Sequence, residues 1–200
     1  VLIFDECTSG FRQTFGGIHK EFGVEPDIAM YGKTLGNGYG ITAVVGKKDI
    51  MNAAQKTFIS STFWTERIGP SAALATLEVM EEIKSWELIT KTGKNITNKW
   101  KDMASSLDLD IVTSGLPSLS VFSFSSTNNL KYKTLITQEM LKRGYLAGNS
   151  LYSSICHTDE VLNPYYENLY DIFKIISKCE NGIFNIDNLF FKTIFKLKKL

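Results

Sequence analysis

The chain has 200 residues, of which 44% are hydrophobic and 22% are charged, and its net charge is +1. This composition is typical of a soluble globular protein, and the balanced charge provides no global field that would favour nucleic acid or a membrane as a partner. The three cysteines are widely spaced, and we find no signal peptide or membrane-spanning apolar stretch, so we predict a cytoplasmic protein with no metal site and no disulfide framework.

The first predicted element is a buried strand, Val1 to Phe4, which ends on an acidic pair. A domain seldom begins in the middle of a sheet, so we expect this chain to be the C-terminal part of a longer protein. Side chains alternate along a strand, so Asp5 and Cys7 share one face and Glu6 takes the other. An acid at the end of a buried run needs a cation or a hydrogen-bond donor, and Asp5 could also be a helix cap or part of a structural salt bridge.

The second predicted strand covers residues 28–31 and is broken by Gly32, after which Lys33 follows among several glycines. Ligands bind at strand ends in open α/β sheets, so this lysine is a candidate site residue. Gly-Lys-Thr is also the tail of a phosphate-binding loop, but that motif requires a glycine where this chain has Asp27. The other interpretation is a desolvated lysine that forms an imine with a carbonyl cofactor.

The relation between the two strands decides whether Asp5 and Lys33 meet. Residues 11–26 are long enough for a crossover that contains a short helix. If the strands are parallel, Asp5 and Lys33 emerge at the same sheet edge. A third strand over residues 41–46 would close the floor of the site, and the polar and aromatic stretch 60–70 favours a binding loop.

Helical spacing predicts the elements that follow. Pro70 would begin a helix whose buried stripe comprises Ala73, Leu74, Leu77, Met80 and Ile83, and a second helix over about residues 86–107 would bury Ile89, Ile96, Trp100 and Met103. We predict a strand near residues 119–124 and helices near 137–143 and 166–178. His157 is expected on a strand, in a structural or surface role rather than a catalytic one. The basic amphipathic stretch 181–200 would dock on a partner, on a membrane surface or, as we expect, on its own domain.

Four motifs occur in order: Leu-Ile-Phe-Asp-Glu at 2–6, Ser-Gly-Phe-Arg at 9–12, Phe-Gly-Val-Glu-Pro-Asp-Ile at 22–28 and Gly-Lys-Thr-Leu-Gly-Asn-Gly at 32–38. In these motifs the chain resembles the class III aminotransferases, pyridoxal-phosphate enzymes, and most of all their glutamate-1-semialdehyde aminomutase-like members. The resemblance implies an α/β protein of fold type I, the aspartate aminotransferase fold. Residues 1–85 would be the C-terminal part of the cofactor-binding large domain, and residues 86–200 a connecting helix and a small α+β domain.

The resemblance also implies residue roles. Lys33 would hold pyridoxal 5'-phosphate as a Schiff base and move a proton, and Asp5 would keep the pyridine nitrogen protonated. Cys7 would lie against one face of the ring, where the family usually has an aliphatic residue, and Thr8 would reach the ring hydroxyl. Thr65 would contact the cofactor phosphate across a dimer interface, although the serines and threonines of its loop could instead cap the helix that follows.

Several functions share these residues. The resemblance implies amino-group transfer between a small-molecule amino donor and an aldehyde or keto acid, in a homodimer with no nucleic-acid or membrane partner. An aminomutase that moves the group within one substrate is the alternative, and a non-catalytic truncated copy that acts as a dimerisation module is another. We expect the 200 residues by themselves to be inactive, because the main phosphate loop of the family and the cover for the other ring face would lie upstream.

Overall fold

The computed structural model describes residues 1–190. The chain divides into two compact units, Val1–Thr90 and a second unit that begins at Lys91. The predicted boundary after residue 85 stays a prediction, and each unit is described by itself.

The first unit contains a three-stranded sheet in the order β1 (Ile3–Glu6), β2 (Ile28–Tyr31) and β3 (Ala43–Gly46). Strands β1 and β2 are parallel, as predicted, and β3 pairs antiparallel with β2. The crossover from β1 to β2 contains a 3-10 helix, Ile18–Phe22, which confirms the short helix expected there.

The prediction of a buried first strand is wrong. Val1 is 83% exposed and Ile3 is 53% exposed, because β1 lies at the edge of the described sheet and nothing in residues 1–190 pairs with its free side. At the opposite edge, Val44 and Val45 of β3 are also half-exposed. Apolar residues that are suitable for a sheet interior therefore lie at both edges of this sheet.

Helices complete the first unit and lead into the second: α1 (Lys48–Met51), a 3-10 helix (Asn52–Lys56), α2 (Ile68–Ile83) and α3 (Ser85–Ser105). Helix α2 begins two residues before Pro70, which therefore lies in the first turn. Backbone N–H groups of the first turn have no partner within the helix, so the N–H that proline lacks is not needed there. The face of α2 that packs on Phe11 and Leu35 carries Ala73 and Met80.

The predicted stripe of α2 is partly wrong. Leu74 is 64% exposed and Ile83 is 37% exposed. Leu74 is rotated about 100° around the axis from Ala73, so only one of these two neighbours can face the core.

The second unit has an antiparallel sheet in the order β4 (Ile111–Ser114), β5 (Leu119–Phe124) and β6 (Ser150–Tyr152), with helices α4 (Asn129–Lys142) and α5 (Asp159–Glu180). Its core joins Ile96 and Trp100 of α3 to Phe122 and Phe173. The four apolar positions that were predicted to be buried in α3 are indeed buried: Ile89, Ile96, Trp100 and Met103.

Helices α4 and α5 begin eight and seven residues earlier than predicted. For α5 the sequence signal is obscured by Pro164, which lies inside the helix, while Asp159 and Glu160 favour its first turn because they complement the helix dipole.

The prediction that His157 lies on a strand is wrong, because His157 lies in the connection between β6 and α5. Its Nδ1 accepts the backbone N–H of Ser154 at 3.0 Å. Burial lowers the pKa of His157, which favours the neutral ring that can accept this bond.

Half of the basic C-terminal stretch, residues 191–200, lies outside the described residues. In the described half Ile186 is buried in the core of the second unit, and Leu189 and Phe190 pack against that core, as expected for docking on its own domain. None of the helices in residues 1–190 is long and apolar enough to cross a membrane.

Candidate active site

The ends of β1 and β2 bring the two principal candidates to the same sheet edge. In the parallel register Asp5 is opposite Met30 and Glu6 is opposite Tyr31, so Lys33 follows two residues after the last pair. Lys33 is the first residue of a short 3-10 helix, Lys33–Leu35, because Gly32 has ended the strand. Its φ of 42° is in the left-handed region, a conformation that non-glycine residues adopt rarely.

The prediction of a desolvated lysine is wrong, because Lys33 is exposed, but its side chain has a specific partner. Its Nζ donates a hydrogen bond to the Thr8 hydroxyl, and the Nε of Arg12 donates to the Thr8 carbonyl oxygen at 2.7 Å. The guanidinium of Arg12 therefore holds the loop after β1, and this loop carries the Thr8 hydroxyl that orients the Lys33 amine.

Asp5 is exposed but restrained by hydrogen bonds. The backbone N–H of Cys7 donates to Oδ1 of Asp5 at 3.0 Å, an Asx turn that fixes the carboxylate beside the strand end. Hydrogen bonds from the backbone and side chain of Cys7, together with the positive charge of Lys33, hold the pKa of Asp5 below its ordinary value, although some desolvation opposes them. Asp5 is therefore ionised at neutral pH.

Cys7 lies between the two strand ends. A Cβ added at Gly32 would be 3.5 Å from the Cys7 Sγ, so the thiol lies against the residue that precedes Lys33. Desolvation and the neighbouring Asp5 carboxylate raise the pKa of this thiol, partly offset by Lys33, so the sulfur keeps its proton at neutral pH.

Glu6 is a residue whose importance the sequence alone does not show. Its side chain is only 1% exposed, and its carboxylate accepts the Ser9 hydroxyl and, from His19, the backbone N–H at 3.2 Å. The Nδ1 of His19 is 3.1 Å from the same carboxylate. Burial raises the pKa of Glu6, but the hydrogen bonds from Ser9, Ile18 and His19 outweigh burial, and the pKa lies below its ordinary value. The alternation of side chains places Glu6 on the other face of the strand from Asp5, but the sequence alone does not show that this face is buried.

Thr65 is the candidate for the phosphate contact. It belongs to an exposed turn, and within residues 1–190 no hydrogen bond or ion pair joins it to Asp5, Cys7, Thr8 or Lys33. The idea that serines and threonines cap the next helix is wrong, because the carboxylate of Glu66 accepts the backbone N–H groups of Ile68 and, at 2.9 Å, of Gly69. These hydrogen bonds lower the pKa of Glu66.

The grouped side chains suit one part of a pyridoxal phosphate molecule. Four groups lie at one sheet edge: an amine that can bind a carbonyl carbon, an ionised carboxylate for a protonated ring nitrogen, a hydroxyl and a small thiol. None of these four supplies the several N–H donors that a phosphate group requires. No group of three metal-ligating side chains occurs in the part of the chain that the structure describes.

Comparison with known proteins gives consistent matches. The family model for "Aminotransferase class-III" matches residues 1–173. The chain is 33% identical over 168 residues to a 3-aminobutyryl-CoA aminotransferase from Cloacimonas acidaminovorans, covering 81% of this chain and 41% of that protein. It is 31% identical over 189 residues to a glutamate-1-semialdehyde 2,1-aminomutase from Sulfurisphaera tokodaii, covering 86% and 45%.

A solved structure has the same fold. The FumI protein of Sphingopyxis sp. MTA144, determined in its PLP internal aldimine form, matches with a TM-score of 0.82 at 22% identity, covering 90% of this chain and 44% of that one. The predicted fold, a partial fold-type I transferase of mixed α/β structure, is thereby confirmed. The chain spans less than half the length of the relatives it matches.

Proposed function

Because the chain belongs to the class III aminotransferase family, we propose that Lys33 binds pyridoxal 5'-phosphate covalently and that the natural enzyme transfers an amino group between an amino donor and an aldehyde or keto acid. The observation that supports this most directly is the hydrogen bond from Lys33 to Thr8 at the ends of two parallel strands, where the charge of Lys33 also acts on the Asp5 carboxylate. An exposed lysine that served only for solubility would need no such partners.

Each candidate site residue at the ends of β1 and β2 has a distinct task in this proposal. When bound, pyridoxal phosphate supplies an electron sink for negative charge that develops at the substrate carbon. Lys33 holds the cofactor through Nζ, gives way to the substrate amine and then carries a proton to and from the substrate carbon. Asp5 keeps the pyridine nitrogen protonated through a charge-assisted hydrogen bond. Thr8 holds the Lys33 amine and contacts the ring hydroxyl, and Cys7 packs on one face of the ring.

The phosphate contact and the assembly belong to the same proposal. Thr65 contacts the cofactor phosphate of a second subunit, so the enzyme works as a homodimer. Its exposed position in a turn beside the start of α2 is compatible with a contact to another chain.

An aminomutase is the second candidate. The relatives include both a 3-aminobutyryl-CoA aminotransferase and glutamate-1-semialdehyde 2,1-aminomutases, with similar coverage of this chain. The same lysine and carboxylate serve either reaction, and substrate assays with an external amino acceptor separate them. A non-catalytic dimerisation module is the third possibility, and it requires no cofactor on Lys33.

Borohydride reduction of the protein at its natural length, followed by peptide mapping, tests the proposal. We expect the pyridoxyl label on Lys33. Lys20 and Lys47 are internal controls, because the first donates to the Phe15 carbonyl and the second pairs with Asp27, each at 2.8 Å. A label on either control, or no label at all, would contradict the assignment.

Paired substitutions test the phosphate contact. Thr65→Ala should weaken binding of pyridoxal phosphate, whereas Thr62→Ala, in the same exposed turn, should not. If Thr62→Ala has the larger effect, Thr65 is not the phosphate ligand.

A further inference from the structure

The loop after β1 is closed by a buried carboxylate that has no task among the roles described above. Glu6 is 1% exposed, and its Oε2 accepts the hydroxyl of Ser9. The carbonyl oxygen of Glu6 accepts the backbone N–H of Gly10 at 2.8 Å. Glu6 therefore closes the turn of residues 6–10 both through its backbone and through its side chain, and Thr8 lies within this turn.

The other carboxylate oxygen of Glu6 joins this turn to the crossover that leads to β2. Its Oε1 accepts the backbone N–H of His19 at 3.2 Å and is 3.1 Å from the Nδ1 of the same residue. The two oxygens of one buried carboxylate thus hold two different segments of the chain. Displacing this carboxylate would leave a buried charge without partners, which is costly, so the turn has a fixed anchor.

Tyr31 fixes the same turn to the end of β2. A Cβ added at Gly10 would be 2.7 Å from the Glu6 carbonyl oxygen and 2.8 Å from the Cδ1 of Tyr31, and both distances are closer than a Cβ can approach. The turn therefore packs directly on the last residue of β2, two positions before Lys33. The segments that carry Thr8 and Lys33 are in contact before any ligand is bound.

We propose that Glu6 is a positioning residue for Lys33: its carboxylate holds Ser9 and, with it, the turn that presents the Thr8 hydroxyl to the lysine amine. This inference rests on the proposed function of Lys33 and adds a residue to it, because Glu6 is on the opposite face of β1 from Asp5. Glu6 acts through Ser9 and Thr8, so the loss of its hydrogen bond affects Lys33 only while the Thr8 hydroxyl is present.

A double-mutant cycle tests this coupling in the apo protein at its natural length, with pyridoxal phosphate as the probe. Stopped-flow absorbance measures how fast the reducible adduct forms on Lys33. Ser9→Ala should slow this step about 3-fold, less than the loss of the Thr8 hydroxyl does, because Arg12 still holds the Thr8 carbonyl oxygen. In a Thr8→Val background, Ser9→Ala should have almost no further effect. A wild-type rate in Ser9→Ala, or equal slowing in both backgrounds, would overturn the proposal.

Glu6→Asp tests the carboxylate itself, because it keeps the charge but withdraws it from Ser9 by one methylene group. Glu6→Asp should slow adduct formation about as much as Ser9→Ala does. The double variant should be no slower than either single variant, since both changes break the same hydrogen bond. Effects that multiply in the double variant would show that Glu6 and Ser9 act separately, contrary to the proposal.

Two further variants separate positioning from stability. Ser9→Thr keeps the hydroxyl and should keep the wild-type rate. Thr14→Val removes a hydroxyl that donates to the Gly17 carbonyl oxygen at 2.7 Å, so it should lower stability as Ser9→Ala does but leave the rate at Lys33 unchanged. Urea unfolding measures the stability of each variant. Equal slowing by Thr14→Val at an equal loss of stability would show that Glu6 only stabilises the fold.

Acetylation with acetic anhydride separates this inference from the proposed function, because it needs no cofactor. Mass spectrometry measures modification of Lys33 relative to the ion-paired Lys47 in the apo protein. Thr8→Val and Ser9→Ala should change this ratio in the same direction, the second by about 2-fold. If the ratio responds but no pyridoxyl label reaches Lys33, the proposed function fails and the coupling stands. If the label reaches Lys33 but Ser9→Ala changes neither the ratio nor the adduct rate, the role of Glu6 is wrong and the function stands.

Discussion

The amine of Lys33 donates a hydrogen bond to the hydroxyl of Thr8, a residue 25 positions earlier in the chain. The parallel pairing of β1 with β2 creates this contact, because both residues lie just beyond paired strand ends. Thr8 is in turn held through its carbonyl oxygen by Arg12. The lysine therefore has a defined position before any ligand is bound.

Thr8→Val should slow the formation of the reducible cofactor adduct on Lys33. The substitution keeps the branched shape but removes the hydroxyl, and a lost hydrogen bond to a charged amine costs about 1.5 kcal/mol, or roughly a 10-fold change. Stopped-flow absorbance after addition of pyridoxal phosphate to apo protein measures the rate. Thr8→Ser should remain close to wild type, and equal rates in both variants would remove Thr8 from the site.

Asp5→Asn should leave the fold and the label on Lys33 intact but lower turnover by about 100-fold or more, because a neutral amide cannot keep the pyridine nitrogen protonated. Circular dichroism verifies the fold, and a transamination assay measures turnover. Asp27→Asn, which removes a carboxylate that pairs with Lys47 at the other end of β2, is the matched control. Near-normal transamination by Asp5→Asn would exclude Asp5 from the mechanism.

Glu6→Gln should destabilise the protein by about 2 kcal/mol at pH 7, because the buried carboxylate accepts several hydrogen bonds and Gln replaces only part of them. The folded-state pKa of Glu6 lies below the ordinary value of 4.5, so its contribution is complete above that pH and is lost as the pH falls through the folded-state pKa.

Urea unfolding at several pH values checks this dependence. The difference between wild type and Glu6→Gln should shrink from neutral pH towards about pH 4 and below, where Glu6 itself becomes neutral. Glu21→Gln, an exposed change in the same crossover, should have no effect. A difference that stays constant with pH would show that the carboxylate charge is not what stabilises this loop.

The 200-residue chain, expressed by itself, should self-associate and show no measurable aminotransferase activity. Its first unit exposes an edge strand and large apolar side chains, including Val1, Phe58 and Trp64 at 83%, 95% and 70% exposure. Size-exclusion chromatography with light scattering measures self-association, titration with pyridoxal phosphate measures cofactor binding, and a transamination assay measures activity. A soluble dimer with one bound cofactor per chain and turnover would contradict this expectation.

Much of the local structure is determined by the sequence alone. Alternation along β1 places Asp5 and Glu6 on opposite faces, Gly32 ends β2 before Lys33, and helical spacing identifies the buried face of α3. These features depend on residues close together in the chain, whose side-chain directions follow from backbone period.

Only the tertiary structure decides the rest. His19 lies 13 residues from its partner Glu6, and Thr8 lies 25 residues from its partner Lys33, and no local pattern selects His19 or Thr8 from other polar residues. Likewise Leu74 belongs to an apolar helical pattern, yet it is exposed. Burial and hydrogen bonding depend on which elements pack together, and that packing is a property of the whole chain in three dimensions.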